Sequence, residues 1–130
     1  MPKFGKRSKS RLKGVDSKLV NVLNEAIKLM DLTILEGVRS KERQRELVDS
    51  GASKTMKSKH IDGKAVDVTP YPVDFDSVKG INRHYYMAGM LRGIAHMMKI
   101  PVRSGADWDS DGEIKDQKFN DLVHLELKNA

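Results

Sequence analysis

Ser58-Lys59-His60-Ile61-Asp62-Gly63-Lys64-Ala65-Val66-Asp67 is the stretch from which both fold and chemistry can be read. Asp62-Gly63 is the dipeptide that a two-residue hairpin turn favours. Such a turn sets Ile61 against Lys64 and His60 against Ala65, with Asp67 diagonal to His60 on the same face and within side-chain reach. Ala65 to Thr69 then reads as a strand closed by Pro70 and Pro72. A second histidine–aspartate pair is Asp121, just before the last strand, and His124 within it, the strand being expected over Leu122 to Leu127. There Val123, Leu125 and Leu127 alternate with His124 and Glu126, so one side is buried and the histidine and glutamate face away.

Outward from these two segments, the remaining elements follow from periodicity. Leu19, Val22, Leu23, Ala26, Ile27 and Met30 fall at helical spacing behind Asp16, a good N-cap. Leu32 to Leu35 reads as a short buried strand ending at Gly37. Ser40 caps a helix over Lys41 to Asp49 that stops at Ser50-Gly51, and a polar loop covers Ala52 to Lys59. Val78 to Lys99 is the longest helical pattern, interrupted by Gly80, Gly89 and Gly93 and ended before Pro101; a short strand follows near Val102. Helices and short strands mixed in this way predict an α+β fold, a small antiparallel sheet with helices packed on it.

The 130 residues suit one domain, and the charge is unevenly placed. Lysines and arginines number 24 against 18 acids, a formal +6, and the first thirteen residues hold six of the basic residues and no acid. The rest of the chain is neutral, so residues 1–14 read as a basic arm with little to bury and residues 15–130 as a single domain. No stretch approaches the roughly 18–20 apolar residues of a membrane span. No apolar run follows the charged N-terminus, so a secretory signal is not expected. The absence of cysteine excludes disulfides and cysteine-ligated zinc.

Two histidines and a carboxylate are a standard catalytic zinc set that leaves a fourth position for water. Asp121 and Glu126 are both candidates for the base that would take that water's proton. On spacing alone, His60 and His124 read first as ordinary surface or capping histidines. His84 and His96 have no acid partner at ligand spacing and read as structural.

The pattern Ser58-x-His60-x-x-Gly63-x-Ala65-x-Asp67, followed by Asp121-x-x-His124-x-Glu126, resembles the signature of the zinc D-Ala-D-Ala carboxypeptidase superfamily. Within it the chain is most similar to bacteriophage L-alanyl-D-glutamate peptidases, which are endolysins. Phe4-Gly5, Glu36-Gly37-Val38-Arg39, Gly51-Ala52-Ser53-Lys54-Thr55 and Ser104-Gly105-Ala106-Asp107-Trp108 extend the likeness over nearly the whole chain. The resemblance implies a zinc peptidase domain with its metal on the sheet, His60, Asp67 and His124 as ligands and Asp121 as general base. It implies Arg39 as the donor to the scissile carbonyl or its oxyanion, Ser58 and Trp108 as site-lining residues, and Glu126 as a support for the site. The implied substrate is peptidoglycan, cut at the L-alanyl-D-glutamate bond by a monomer made in the host cytoplasm and let into the periplasm by a holin.

The link before Asp121 departs from many relatives. Asp107, Asp109 and Asp111 with Gly112 open like an EF-hand calcium loop, but Lys118 stands where the closing glutamate belongs and Asp116 is the substitute. Calcium as a second cofactor and a plain solvated turn are the two readings. Two rival functions share the sequence. A D-alanyl-D-alanine carboxypeptidase or dipeptidase would use the same zinc site. A basic nucleic-acid-binding module would use the arm, although no helix-turn-helix or aromatic RNA-binding motif supports it. With the peptidase reading, the expected partner of the arm is the anionic wall or outer-membrane surface, which part of the arm could forgo by packing on the body.

Overall fold

Residues 2–53, 55–107, 110 and 121–128 are described by a computed structural model. The elements run α1 (Lys6–Arg11), α2 (Ser17–Ile27), β1 (Leu32–Glu36), α3 (Lys41–Asp49), β2 (Ala65–Pro70), α4 (Val78–Met97), β3 (Val102–Ser104) and β4 (His124–Leu127). The four strands form one sheet in the order β1-β2-β4-β3, every neighbouring pair antiparallel. This is the α+β arrangement that the sequence predicts.

The local signals explain most of these elements. The Asp16 side chain accepts from the Lys18 amide, and the Ser40 hydroxyl accepts from the Arg43 amide, so α2 and α3 begin at their expected caps. Helix α4 spans its interior glycines. Gly80 is required there, because a Cβ would lie 2.2 Å from the Asp74 carbonyl oxygen. The apolar stripe of α2 packs with Ile34, Val66, Val68 and Leu125 of the sheet and with Met87, Leu91 and Ala95 of α4. Each large side chain in that core stabilises the fold by about 1.5–3 kcal/mol.

Two expectations are corrected. Residues 2–14 are not a free arm. Phe4 joins the core, and α1 lies against β1, the strand that opens the sheet order. The Ser8 hydroxyl accepts from the Ile34 amide at 3.0 Å, and Arg11 donates to the Ile34 carbonyl at 2.8 Å. Edge strands carry unpaired backbone groups, and a short polar helix can satisfy them without an apolar face of its own. Gly37 permits the approach, since a Cβ there would sit 1.9 Å from the Arg11 carbonyl oxygen.

The second correction concerns Asp62-Gly63, which does not close a two-residue hairpin. Residues 59–63 form a wider turn, with the Lys64 amide bonded to the Lys59 carbonyl at 2.8 Å, and β2 pairs instead with β1 and β4. Two outside contacts account for the shape. The Arg39 amide donates to the His60 carbonyl, and the Asp16 amide donates to the carbonyl of Gly63, whose φ is +72°.

Candidate active site

The sheet register creates the site. A bulge between Ile34 and Glu36 shifts the pairing of β1 by one residue, so that Glu36 stands opposite Asp67. On the other side Asp67 stands opposite His124. Glu36, Asp67 and His124 therefore form one row across three strands, and directly opposed residues share a face. Val66 and Val68, on either side of Asp67, point the other way into the core.

The turn before β2 delivers His60 to this row. The imidazole is buried; its Nδ1 donates to the Gly37 carbonyl at 2.9 Å, which leaves Nε2 3.2 Å from Asp67 Oδ1. His124 presents Nδ1 to the same carboxylate oxygen at 3.5 Å, and its Nε2 lies 2.8 Å from Glu126 Oε1. The two rings meet edge to face with centroids 5.2 Å apart. Ligand atoms of His60, Asp67 and His124 all lie within 4.8 Å of one another, the one such group among the described residues.

This donor set fits zinc. Each histidine has one nitrogen directed at Asp67 and the other held by an oxygen, the arrangement that fixes the tautomer of a ligating imidazole. Lys59 and Arg103 clamp that second oxygen system from outside, meeting Glu126 Oε2 at 2.9 Å and 3.0 Å.

Electrostatics follow the geometry in the metal-free chain. Burial disfavours the His124 imidazolium, but the Asp67 and Glu126 contacts outweigh it and lift the group to about 9. Burial would raise Glu126, yet His124 and Lys59 hold it down at about 2. Asp67 is likewise held well below the usual carboxylate range by both histidines, against the cost of burial. Asp121 moves the other way: burial raises it first, and the nearby Asp67 charge adds to that.

Arg39, expected at the carbonyl, lies beside the triad. Its Nη2 is 3.8 Å from Asp67 Oδ2, its Nε bonds Glu36, and its Nη1 donates to Gln44 Oε1 at 2.8 Å. Gln44 is fully buried and also donates to the Ser53 hydroxyl and the Thr55 carbonyl, tying α3 to the loop over the cleft. That cleft has a volume of about 730 Å³ and is lined by Arg39, Ser58, His60, Asp67, Asp121, His124 and Glu126 among others. Asp121 is positioned by its amide, which bonds the Gly105 carbonyl, while its own carbonyl accepts from the His124 amide.

A sequence model of the phage L-alanyl-D-glutamate peptidase family matches residues 1–128. The chain belongs to that family. The L-alanyl-D-glutamate peptidase of Escherichia phage T5 is 32% identical over 126 residues, covering 88% of either protein. Among solved structures, the Serratia marcescens L-Ala D-Glu endopeptidase ChiX superposes with a TM-score of 0.77 at 32% identity, over 96% of this chain and 90% of that one. The vancomycin-resistance D,D-pentapeptidase VanY, solved with Zn(II), has a TM-score of 0.55 at 16% identity, over 87% of this chain and 72% of its own. That likeness speaks for the shared fold alone.

Of the expected site residues, Arg39, Ser58, His60, Asp67, Asp121, His124 and Glu126 share one cleft. Trp108, Asp109, Asp111 and Asp116 lie outside the described residues. Asp107 is buried and paired with Arg92 of α4 at 3.3 Å. The sequence reading missed Gln44, Glu36, Lys59 and Arg103. Gln44 left a trace as a polar residue in the middle of a helix with hardly any apolar stripe to bury, and Glu36 and Lys59 stood within quoted stretches from which no role for them was read.

Proposed function

We propose that the chain is a phage endolysin that hydrolyses the L-alanyl-D-glutamate bond of peptidoglycan stem peptides, with zinc held by His60 Nε2, Asp67 and His124 Nδ1. The observation that carries this is the convergence of those three ligand atoms within 4.8 Å in a member of this peptidase family. Bound there, zinc supplies Lewis-acid polarisation of the scissile carbonyl and acidifies a coordinated water.

The chain's own residues supply the rest. Asp121 takes the proton of the attacking water and returns it to the leaving amine, a role that contributes roughly 10²–10⁴-fold. Arg39, fixed by Glu36 and Gln44 with Nη2 turned toward Asp67, donates to the carbonyl oxygen as negative charge builds. Gly37 and Glu126 hold the two imidazoles in their tautomers. Ser58 lines the cleft and accepts from the His60 amide at 3.2 Å.

The protein acts as a monomer and reaches the periplasm through a holin. Calcium at the Asp107–Asp116 segment belongs to the same proposal and rests on the spacing of its aspartates; unchanged hydrolysis under a calcium chelator that spares zinc would remove it. The bond is tested by mass spectrometry of digested peptidoglycan. New N-terminal D-glutamate supports the endolysin, whereas release of D-alanine would assign the chain to the carboxypeptidase reading.

A further inference from the structure

The charge excess and one cavity meet at the N-terminal segment. Between that segment and α2 lies a groove of about 490 Å³, within the size range of small-ligand sites. Phe4, Leu12, Val20 and Ile27 give it an apolar lining, and Lys3, Lys9 and Lys28 also line it. It shares no residue with the catalytic cleft. Docking of α1 turns Arg11 inward to Ile34 and leaves Lys3, Lys6, Arg7, Lys9 and Lys13 exposed. The acids nearest in sequence are already engaged, Asp16 with Lys64 and Glu25 with Lys28.

We infer that this groove receives an acyl chain of an anionic phospholipid whose head group Lys3 and Lys9 hold, docking the protein on an anionic bilayer leaflet. An apolar trough bordered by cations matches the two halves of such a lipid. A second copy of the chain fits poorly, since an isologous contact would oppose two sets of like charges. A nucleic acid would engage the lysines and leave the trough unused. The docking is independent of the peptidase chemistry.

The full chain is tested by co-sedimentation with phosphatidylglycerol–phosphatidylcholine vesicles against phosphatidylcholine alone. Preferential binding to the anionic vesicles is expected. At about fivefold per basic residue near the surface, a Lys3→Gln/Lys9→Gln variant should bind roughly 25-fold more weakly. Asn24, exposed on α2 and lining the groove, supplies a probe of the apolar half. Asn24→Trp fluorescence, measured beside the unsubstituted chain, should shift to the blue and be quenched by phosphatidylglycerol with brominated acyl chains. Circular dichroism checks both folds; if the lysine variant misfolds, the quenching result decides. Equal sedimentation with both vesicle types would overturn the inference. So would vesicle binding without quenching, and so would salt-sensitive binding to duplex DNA with no lipid binding.

Discussion

Gln44 offers the sharpest test of how the site is supported. Its side chain is fully buried and makes three hydrogen bonds: it accepts from Arg39 Nη1 at 2.8 Å and donates to Ser53 Oγ at 2.9 Å and to the Thr55 carbonyl at 2.5 Å. Gln44→Leu nearly conserves volume, so little cavity forms and the loss is that of the polar contacts. At a net 1 kcal/mol or so for each bond, the variant should be about 3 kcal/mol less stable. Unfolding entropy of about 2.1 cal/mol/K per residue turns that into a melting point roughly 10 °C lower. Arg39 also loses one of the two groups that aim it, so turnover should fall about tenfold or more while zinc binding stays intact, because Gln44 touches no ligand. Thermal melting by circular dichroism, zinc titration and peptidoglycan turnover read these three effects separately. A melting point within about 2 °C of the parent, or turnover unchanged, would refute the claim that Gln44 anchors Arg39 and the loop.

The remaining predictions address the metal and the proton. His60→Ala removes one ligand and should abolish stoichiometric zinc, read by metal content after gel filtration; full lytic activity would disprove the site. Asp121→Asn should keep zinc and lose roughly 10²–10⁴-fold in turnover. Glu126→Gln leaves Lys59 and Arg103 facing a neutral amide and frees the His124 tautomer, so zinc affinity in a competition titration should drop about 10–100-fold. Gly105→Ala would place a Cβ 2.1 Å from the Asp121 carbonyl oxygen, so the strand end must shift and turnover should fall even though no reacting group is altered.

Legibility in the sequence followed how local the determinant was. Helix α3 runs Lys41–Asp49 as its cap and Ser50-Gly51 stop predict, and β1 and β2 fall within a residue of their expected ends. That His60, Asp67 and His124 would cluster was legible because two short motifs carry all three residues. What escaped depends on partners distant in the chain. Ser8 and Arg11 dock α1 through the backbone of Ile34, which hydropathy cannot register. The bulge that sets Glu36 opposite Asp67 is a property of the pairing, not of either strand. Asp62-Gly63 carried a hairpin signal, yet contacts from Asp16 and Arg39 imposed a wider turn. His60 still reached Asp67, because Gly37 anchors its ring from the far side.

Charge pairing in the cleft separates the carboxylates by task. Asp67 lies beside Arg39, and Glu126 is held by Lys59 and Arg103. A carboxylate in contact with a fixed cation stays ionised and serves as a constant acceptor, for a guanidinium, a metal or an imidazole. Asp121 differs. No lysine or arginine among the described residues forms an ion pair with it, and burial together with the Asp67 charge raises its pKa. A proton carrier must be able to exist in both states during one cycle, so it has to be the acid that no cation locks. This supports the proposed assignment of Asp121, rather than Glu126, as the base without reference to either residue's place in the motif. Their exchange makes the test: if Glu126→Gln cost more turnover than Asp121→Asn at saturating zinc, this division of labour would be wrong.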